Sequence, residues 1–266
     1  MMLIKYIFVI FFIAFSSWVN AQTNIDSSRV VRVLTYNIYH GETVDADKRF
    51  DLDLLAKIIN DTKPDLVALQ EVDFKTNRAL KIDLVTELSF RTKMAGVFGK
   101  AMIFDGGEYG EGVLSKYSFL STKNHALIAG ENKEPRAALE VNVQIISGDS
   151  IRFVGTHLDH TEDETDRINQ ANQINAIFSQ DDVPTILAGD LNATPESVTM
   201  QVFYKAWKQT CSKNSPTYPA VNPTSKIDYI LFRPANKWRI IETKVIKEEK
   251  ASDHRPVLSV LELLKE

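Results

Sequence analysis

Short apolar runs rich in β-branched residues recur along this chain, and nearly every one stops at an acid, an amide or an imidazole. Residues 31–36 end at Asn37, 66–70 at Glu71, 153–156 at His157 and Asp159, and 185–189 at Asp190 and Asn192. Asp228 stands at the head of the run 227–231, and Ser252-Asp253-His254 immediately precedes the last run. Runs this short, bounded by turn residues, read as buried strands. A polar side chain at the end of a buried strand costs folding energy unless it is paired or binds something. Strand ends are also where sheet proteins collect functional groups. One such residue is readily a cap; a whole set of them is hard to explain as capping.

Between the runs, the periodicity predicts helices over residues 51–59, 83–89 and 163–178, and a further one from Pro195 to Phe203 with Thr194 as its N-cap. Strands are expected at 30–38, 66–69, 113–115, 137–146, 151–158, 184–188, 227–232, 238–246 and 256–261. Ser147-Gly148-Asp149-Ser150 is hairpin-turn chemistry. The glycine-rich stretch 106–112 reads as a loop, and so does the polar, proline-containing stretch 208–226. Some early strands alternate with helices while others form hairpins, which predicts mixed sheets. No repeat or low-complexity linker interrupts residues 30–262, so one α/β domain over 30–266 is expected.

The formal charge of −4 excludes a strongly basic nucleic-acid coat, though not a local contact with nucleic acid. The single cysteine, Cys211, excludes an internal disulfide and a cysteine-based zinc cluster. At the N-terminus, Lys5 precedes a short dense apolar run, and Val19 and Ala21 occupy small-residue cleavage positions. The run is shorter than the ~20 residues of a membrane-spanning helix. Residues 1–21 therefore read as a secretory signal and 22–29 as a loose tail. The expectation is an exported, soluble, monomeric protein of the periplasm or exterior, with no transmembrane segment after cleavage.

The strand-end residues are all hard oxygen donors and imidazoles. Carboxylates and amides suit Mg²⁺, with Mn²⁺ or Ca²⁺ as alternatives, and the histidines suit oxyanion donors or proton carriers. The chain lacks H-E-x-x-H, G-x-S-x-G and the P-loop pattern, so zincin, serine-hydrolase and P-loop chemistries are unsupported.

Taken in order, Thr35-Tyr36-Asn37-Ile38, Leu69-Gln70-Glu71-Val72-Asp73, Tyr109-Gly110-Glu111-Gly112, Glu134-Pro135-Arg136-Ala137, Thr156-His157-Leu158-Asp159, Gly189-Asp190-Leu191-Asn192, Ile227-Asp228-Tyr229 and Ser252-Asp253-His254 resemble the endonuclease/exonuclease/phosphatase superfamily, the DNase I-like fold. The resemblance implies a four-layered α/β sandwich, two packed mixed β-sheets with helices outside. It also implies divalent-metal-dependent hydrolysis of a phosphoester by an activated water. Carried over, Glu71 is the principal metal carboxylate, with Asn37 and Asp253 beside the metal. Asp190 orients or deprotonates the water with Asn192, His254 contacts the phosphate with Asp228 behind it, and His157 is a second phosphate-side imidazole. Whether Asp190 or a His–Asp pair is the base stays open. Arg136, Arg78 and Tyr109 are candidate substrate contacts. Glu111 stands where many relatives carry an amide; it either points inward with added negative charge or is a solvated loop residue. His40 and His160 are candidates for the pocket rim, and His125 for the surface. The expected substrate is a small or lipid-linked phosphoester, with a nuclease and a non-catalytic binding module as the competing readings.

Overall fold

The computed structural model describes residues 25–211 and 215–265; the expected signal, 1–21, lies outside them. Two six-stranded sheets are packed face to face. The first runs in the order β11 (Trp238–Val245), β12 (Val257–Leu263), β1 (Val30–Asn37), β2 (Leu66–Phe74), β4 (Gly107–Ser115), β3 (Ala95–Phe104). The second runs β5 (Phe119–Leu127), β6 (Arg136–Gln144), β7 (Ser150–His157), β8 (Thr185–Asp190), β10 (Asp228–Arg233), β9 (Lys208–Gln209). Alternate residues of the strands meet in the middle: Val31, Val33, Ala68 and Val113 from one sheet pack on Leu139, Val141, Phe153 and Ile186 from the other. The opposite face of the first sheet is covered by α1 (Leu52–Thr62) and α2 (Leu84–Thr92), and that of the second by α3 (Thr165–Phe178) and α4 (Val198–Tyr204). This is the four-layered sandwich that the motifs imply. Among the described residues no helix is long and apolar enough to cross a membrane.

Each sheet contains one parallel pair, β1 with β2 and β7 with β8. Three of these strands end on Asn37, His157 and Asp190, and β2, which runs on to Phe74, carries Glu71 in its second half on the same side of the sandwich. The other strands pair antiparallel, which makes both sheets mixed.

Several local expectations change. The fourth helix starts at Val198 with Ser197 as its N-cap, accepting from the Met200 N–H, while Thr194 closes a turn before it. The glycine-rich stretch 106–112 is mostly strand. Gly110 there lies so close to β3 that a Cβ would come 2.1 Å from the Gly99 carbonyl oxygen, so the glycine serves sheet packing instead of loop freedom. The edge strands β3 and β5 were not legible, because β5 is largely exposed and β3 is only partly buried, so neither carries a fully buried apolar stripe. Of the expected tail, residues 27–29 form a 3₁₀ turn capped by Asp26, whose N–H donates to Glu262. His125 is a partly buried residue, with Nε2 2.8 Å from Glu140 and its ring edge-on to Phe178.

Candidate active site

A cleft of about 560 Å³ opens where the two sheets end together. Register builds its floor. Asp190 on β8 pairs laterally with His157 on β7 and with Asp228 on β10, so three polar side chains stand in a row at one end of the second sheet. The strands can approach this closely because residue 189 is glycine: a Cβ there would lie 1.9 Å from the Thr156 carbonyl oxygen. The first sheet contributes Asn37 and Glu71. Leu69 pairs with Gly112 and Val72 with Gly110, so Gln70 and Glu71 together face the single residue Glu111 in a β-bulge. Glu71 sits in this bulge at φ 57°, a strained setting of the kind proteins keep where a side chain must be re-aimed.

Asn37 joins the sheets. Its Nδ2 donates to Glu71 Oε1 at 3.0 Å and to Asp190 Oδ2 at 3.2 Å. Asp190 Oδ1 accepts from the Asn192 N–H at 2.9 Å. Around Asp190 Oδ2 lie two imidazoles, His157 Nε2 at 3.5 Å and His254 Nε2 at 3.6 Å. His254 is oriented from behind, with Nδ1 3.0 Å from Asp228 Oδ2.

The two imidazoles have opposite protonation. Burial disfavours the His254 cation, but Asp228 and Asp190 outweigh it and raise His254 to about 10. Burial and the Arg136 guanidinium both push His157 well below the ordinary histidine range, so its ring is neutral. Arg136 can only donate, so its contact at 3.0 Å engages the His157 Nδ1 lone pair, while Nε2 lies 3.0 Å from Asn192 Nδ2 and 3.5 Å from Asp190 Oδ2. Burial pushes Asp190 up to about 7, with the His254 charge acting against it and Asp228 adding to it. Burial also opposes ionisation of Glu71, yet His40 and Asn37 beside it, together with the His254 charge, lower it to about 2.

The remaining expected residues divide. Tyr109, Arg78, Arg136 and Asp253 line the cleft together with Glu71, His157, Asp190, Asn192 and His254; Glu111 does not. Arg136 is buried, and its guanidinium is already engaged by His157, Glu134 and His160. Its two terminal nitrogens hold the wall, while its Nε is buried without a partner. Arg78 is clamped by two hydrogen bonds to Asp73 and packs over the Phe104 ring. Sequence reasoning did not find Met102, Phe104, Tyr39 or Tyr218, which also line the cleft. No local pattern marks them, since their strands and loops are brought here only by the fold.

Glu111 is neither a cleft anion nor a solvated residue. It is buried, both carboxyl oxygens lack a hydrogen-bond partner, and burial raises it well above the usual carboxylate range. Its burial favours the neutral acid. An acid whose folded pKa lies above its unfolded value loses stability as pH rises past the unfolded value, because only the unfolded chain releases the proton. The isosteric Glu111→Gln is therefore expected to match the parent near pH 4 and to become more stable above it, by up to about 1.4 kcal/mol for each pH unit that the folded carboxyl stays protonated. Urea unfolding at pH 4, 6 and 8 measures this, and a stability difference independent of pH contradicts it.

Two carboxylate groupings can hold a cation. Asp190, Asp228 and His254 offer ligand atoms within 4.8 Å of one another. There, however, the protonated His254 already supplies the positive charge. Glu71 and Asp253 face the cleft as hard oxygen donors, and each carboxylate disfavours charge on the other: burial raises Asp253, His254 pulls against this, and Glu71 adds to the rise. Among the described residues no guanidinium or ammonium pairs directly with either carboxylate, so a divalent ion would offset their charge.

The sequence profile of the Endonuclease/Exonuclease/phosphatase family matches residues 34–254. The Drosophila melanogaster protein named "Putative neutral sphingomyelinase" is 28% identical over 279 aligned positions, covering 88% of this chain and 61% of that protein. The chain thus spans only about three fifths of the length of this relative. Among solved structures, an endonuclease/exonuclease/phosphatase from Bacteroides vulgatus superposes with a TM-score of 0.74 at 22% identity, covering 88% of this chain and 99% of the other. A mannosyl-6-phosphatase from Bacteroides thetaiotaomicron superposes with a TM-score of 0.69 at 17% identity, covering 88% and 100%. At these identities the structural likeness is one of fold.

Proposed function

Because the chain belongs to the endonuclease/exonuclease/phosphatase family, we propose that it is an exported, divalent-metal-dependent hydrolase of small or lipid-linked phosphoesters. The observation that carries this reading is the pairing of an imidazolium with a neutral imidazole around one carboxylate, Asp190. A phosphodiester resists attack because it is anionic, and donors aimed at its non-bridging oxygens offset the charge that grows there.

In this reading Asp190 accepts the proton of the attacking water, which Asn192 helps to place. His254, kept charged by Asp228, donates to a phosphoryl oxygen, and the neutral His157 stands on the phosphate side and holds the Asn192 amide in place. Glu71 would hold the cation with Asp253, and Asn37 steadies Glu71; a bound divalent ion supplies Lewis-acid neutralisation of phosphate charge. The water oxygen forms the new P–O bond as the opposite P–O bond breaks, with the leaving oxygen departing on the far side. No side chain is phosphorylated, so configuration at phosphorus inverts.

The substrate class rests on the cleft walls. Met102, Phe104 and Tyr109 form an apolar and aromatic shelf on one side. The lining arginines are already engaged, Arg78 by Asp73 and Arg136 by His157, Glu134 and His160, which weighs against a polynucleotide backbone as their first partner. The fly relative makes a choline phosphodiester lipid the first substrate to try. The test is turnover of sphingomyelin, bis-p-nitrophenyl phosphate, inositol phosphates and plasmid DNA with Mg²⁺ or Mn²⁺, with and without chelator. Chelator-sensitive hydrolysis of the lipid or of the small esters is expected. Cleavage confined to plasmid moves the protein to the nuclease reading, and no turnover on any substrate leaves a binding module.

A further inference from the structure

His40 occupies a position that the proposed reaction does not use. Its Nδ1 is buried and has no hydrogen-bond partner, an arrangement that folded proteins seldom leave unexplained. The nearest charged atom is Glu71 Oε2, 3.8 Å away. That is too long for a hydrogen bond. It is also shorter than two metal–ligand bonds of about 2.1 Å laid end to end, so a single ion can bridge the two atoms at a bent angle. The other Glu71 oxygen is taken by Asn37 Nδ2. Nδ1 and Oε2 are thus the two atoms of this pair left to share a ligand.

The backbone has been bent to put the imidazole there. Tyr39, His40 and Gly41 are consecutive left-handed residues, at φ 45°, 44° and 89°, and two of them are not glycine. Such strain persists only where the surroundings enforce it. Here the Tyr39 N–H donates to Asn37 Oδ1, the Gly41 N–H to the Ile38 carbonyl, and the Asp51 N–H to the Gly41 carbonyl. Residue 41 must be glycine, since a Cβ would lie 2.8 Å from the Phe50 ring. The Tyr39 ring, 4.5 Å from that of His40, limits its rotation. One residue, Asn37, therefore sets both partners: its Nδ2 grips Glu71, and its Oδ1 anchors the turn that carries His40.

We infer that His40 is an additional ligand to the cation held by Glu71, and that it shifts the preference of the site from Mg²⁺ toward a transition-series divalent ion such as Mn²⁺ or Co²⁺. Mg²⁺ favours oxygen ligands in near-ideal octahedral geometry, whereas imidazole nitrogen suits the later divalent ions. The inference rests on the reading that Glu71 holds the cation, and its test separates the two.

The test is isothermal titration calorimetry of the purified protein with MnCl₂, CoCl₂ and MgCl₂, comparing the parent with His40→Asn, His40→Gly and Glu71→Gln. Asparagine and glycine both accept a left-handed φ, so neither variant adds strain. Mn²⁺ is expected to bind the parent at least about tenfold more tightly than Mg²⁺, following the ligand preference. Both His40 variants should lose roughly 10- to 100-fold in Mn²⁺ and Co²⁺ affinity while changing Mg²⁺ affinity much less. His40→Gly should do so with an unchanged or raised melting temperature, a pattern that a merely structural histidine would not produce. The nitrogen coupling in pulsed EPR of the Mn²⁺ form should weaken in the same variants. Parent-like Mn²⁺ affinity in His40→Asn and His40→Gly, with binding lost in Glu71→Gln, overturns the role of His40 and leaves Glu71 as the cation ligand. Binding undiminished in Glu71→Gln overturns the location of the cation itself.

Discussion

Asp190→Asn is expected to lower turnover of a phosphodiester about 10³- to 10⁴-fold, near the upper end of what a positioned general base contributes. The substitution keeps the shape but replaces one of the two acceptor oxygens by an amide donor. The amide oxygen can still accept from the Asn192 N–H, which donates to Asp190 Oδ1 at 2.9 Å. What disappears is the ability to take a proton, together with the acceptor for Asn37 Nδ2. Because burial pushes Asp190 up to about 7, the parent should gain activity as pH rises through about 7, where this carboxyl ionises, and lose it below. A cation at Glu71 moves this limb to lower pH by favouring the ionised form. In Asp190→Asn the residual activity should lack the limb altogether. The variant should still fold, because it removes a buried charge while leaving the neighbouring Asp228–His254 contact in place. A parent-like pH–rate profile in Asp190→Asn would return the base to a His–Asp pair.

His254→Gln carries the second large effect, a loss of roughly 10²- to 10³-fold in kcat/KM, the size seen when one preorganised donor to a developing oxyanion is removed. Glutamine keeps an N–H but not the charge. His254 is protonated because Asp228 and Asp190 raise it to about 10 against the cost of burial. Its contribution is therefore present through neutral pH and lost as pH rises through about 10. Asp228→Asn tests the cause. Asp228 is the larger of the two attractive neighbours, so removing its charge should draw the basic limb to lower pH while leaving the acidic limb to Asp190. A basic limb that stays in place in Asp228→Asn would mean that Asp228 only orients the ring.

The depth of each feature in the sequence follows from how local its cause is. The buried strands were legible because each has its own apolar, β-branched run, and the motif order carried the layered fold with it. The edge strands β3 and β5 escaped because a strand with both faces partly in water needs no apolar stripe. The sequence marked Glu71 as an acid at a strand end, but nothing in it announces the bulge that re-aims the side chain, which depends on the pairing of β2 with β4. Arg136 looked like a phosphate clamp, and only its neighbours show that both terminal nitrogens of its guanidinium already have partners. Glu111 looked like added negative charge, and only its surroundings show that burial favours its neutral form.

By itself, then, the sequence determined which residues end buried strands, and so which chemical groups are on offer: hard oxygen donors and imidazoles, with no thiolate cluster. The tertiary structure decided which of them meet and in what charge state. Asn37 and Asp190 are 153 positions apart and share a hydrogen bond at 3.2 Å. His157 and His254, the same residue type at the same carboxylate, hold opposite protonation because one faces a guanidinium and the other two acids. Proximity and electrostatic environment are properties of the packed chain, since each depends on burial and on partners that come from distant strands.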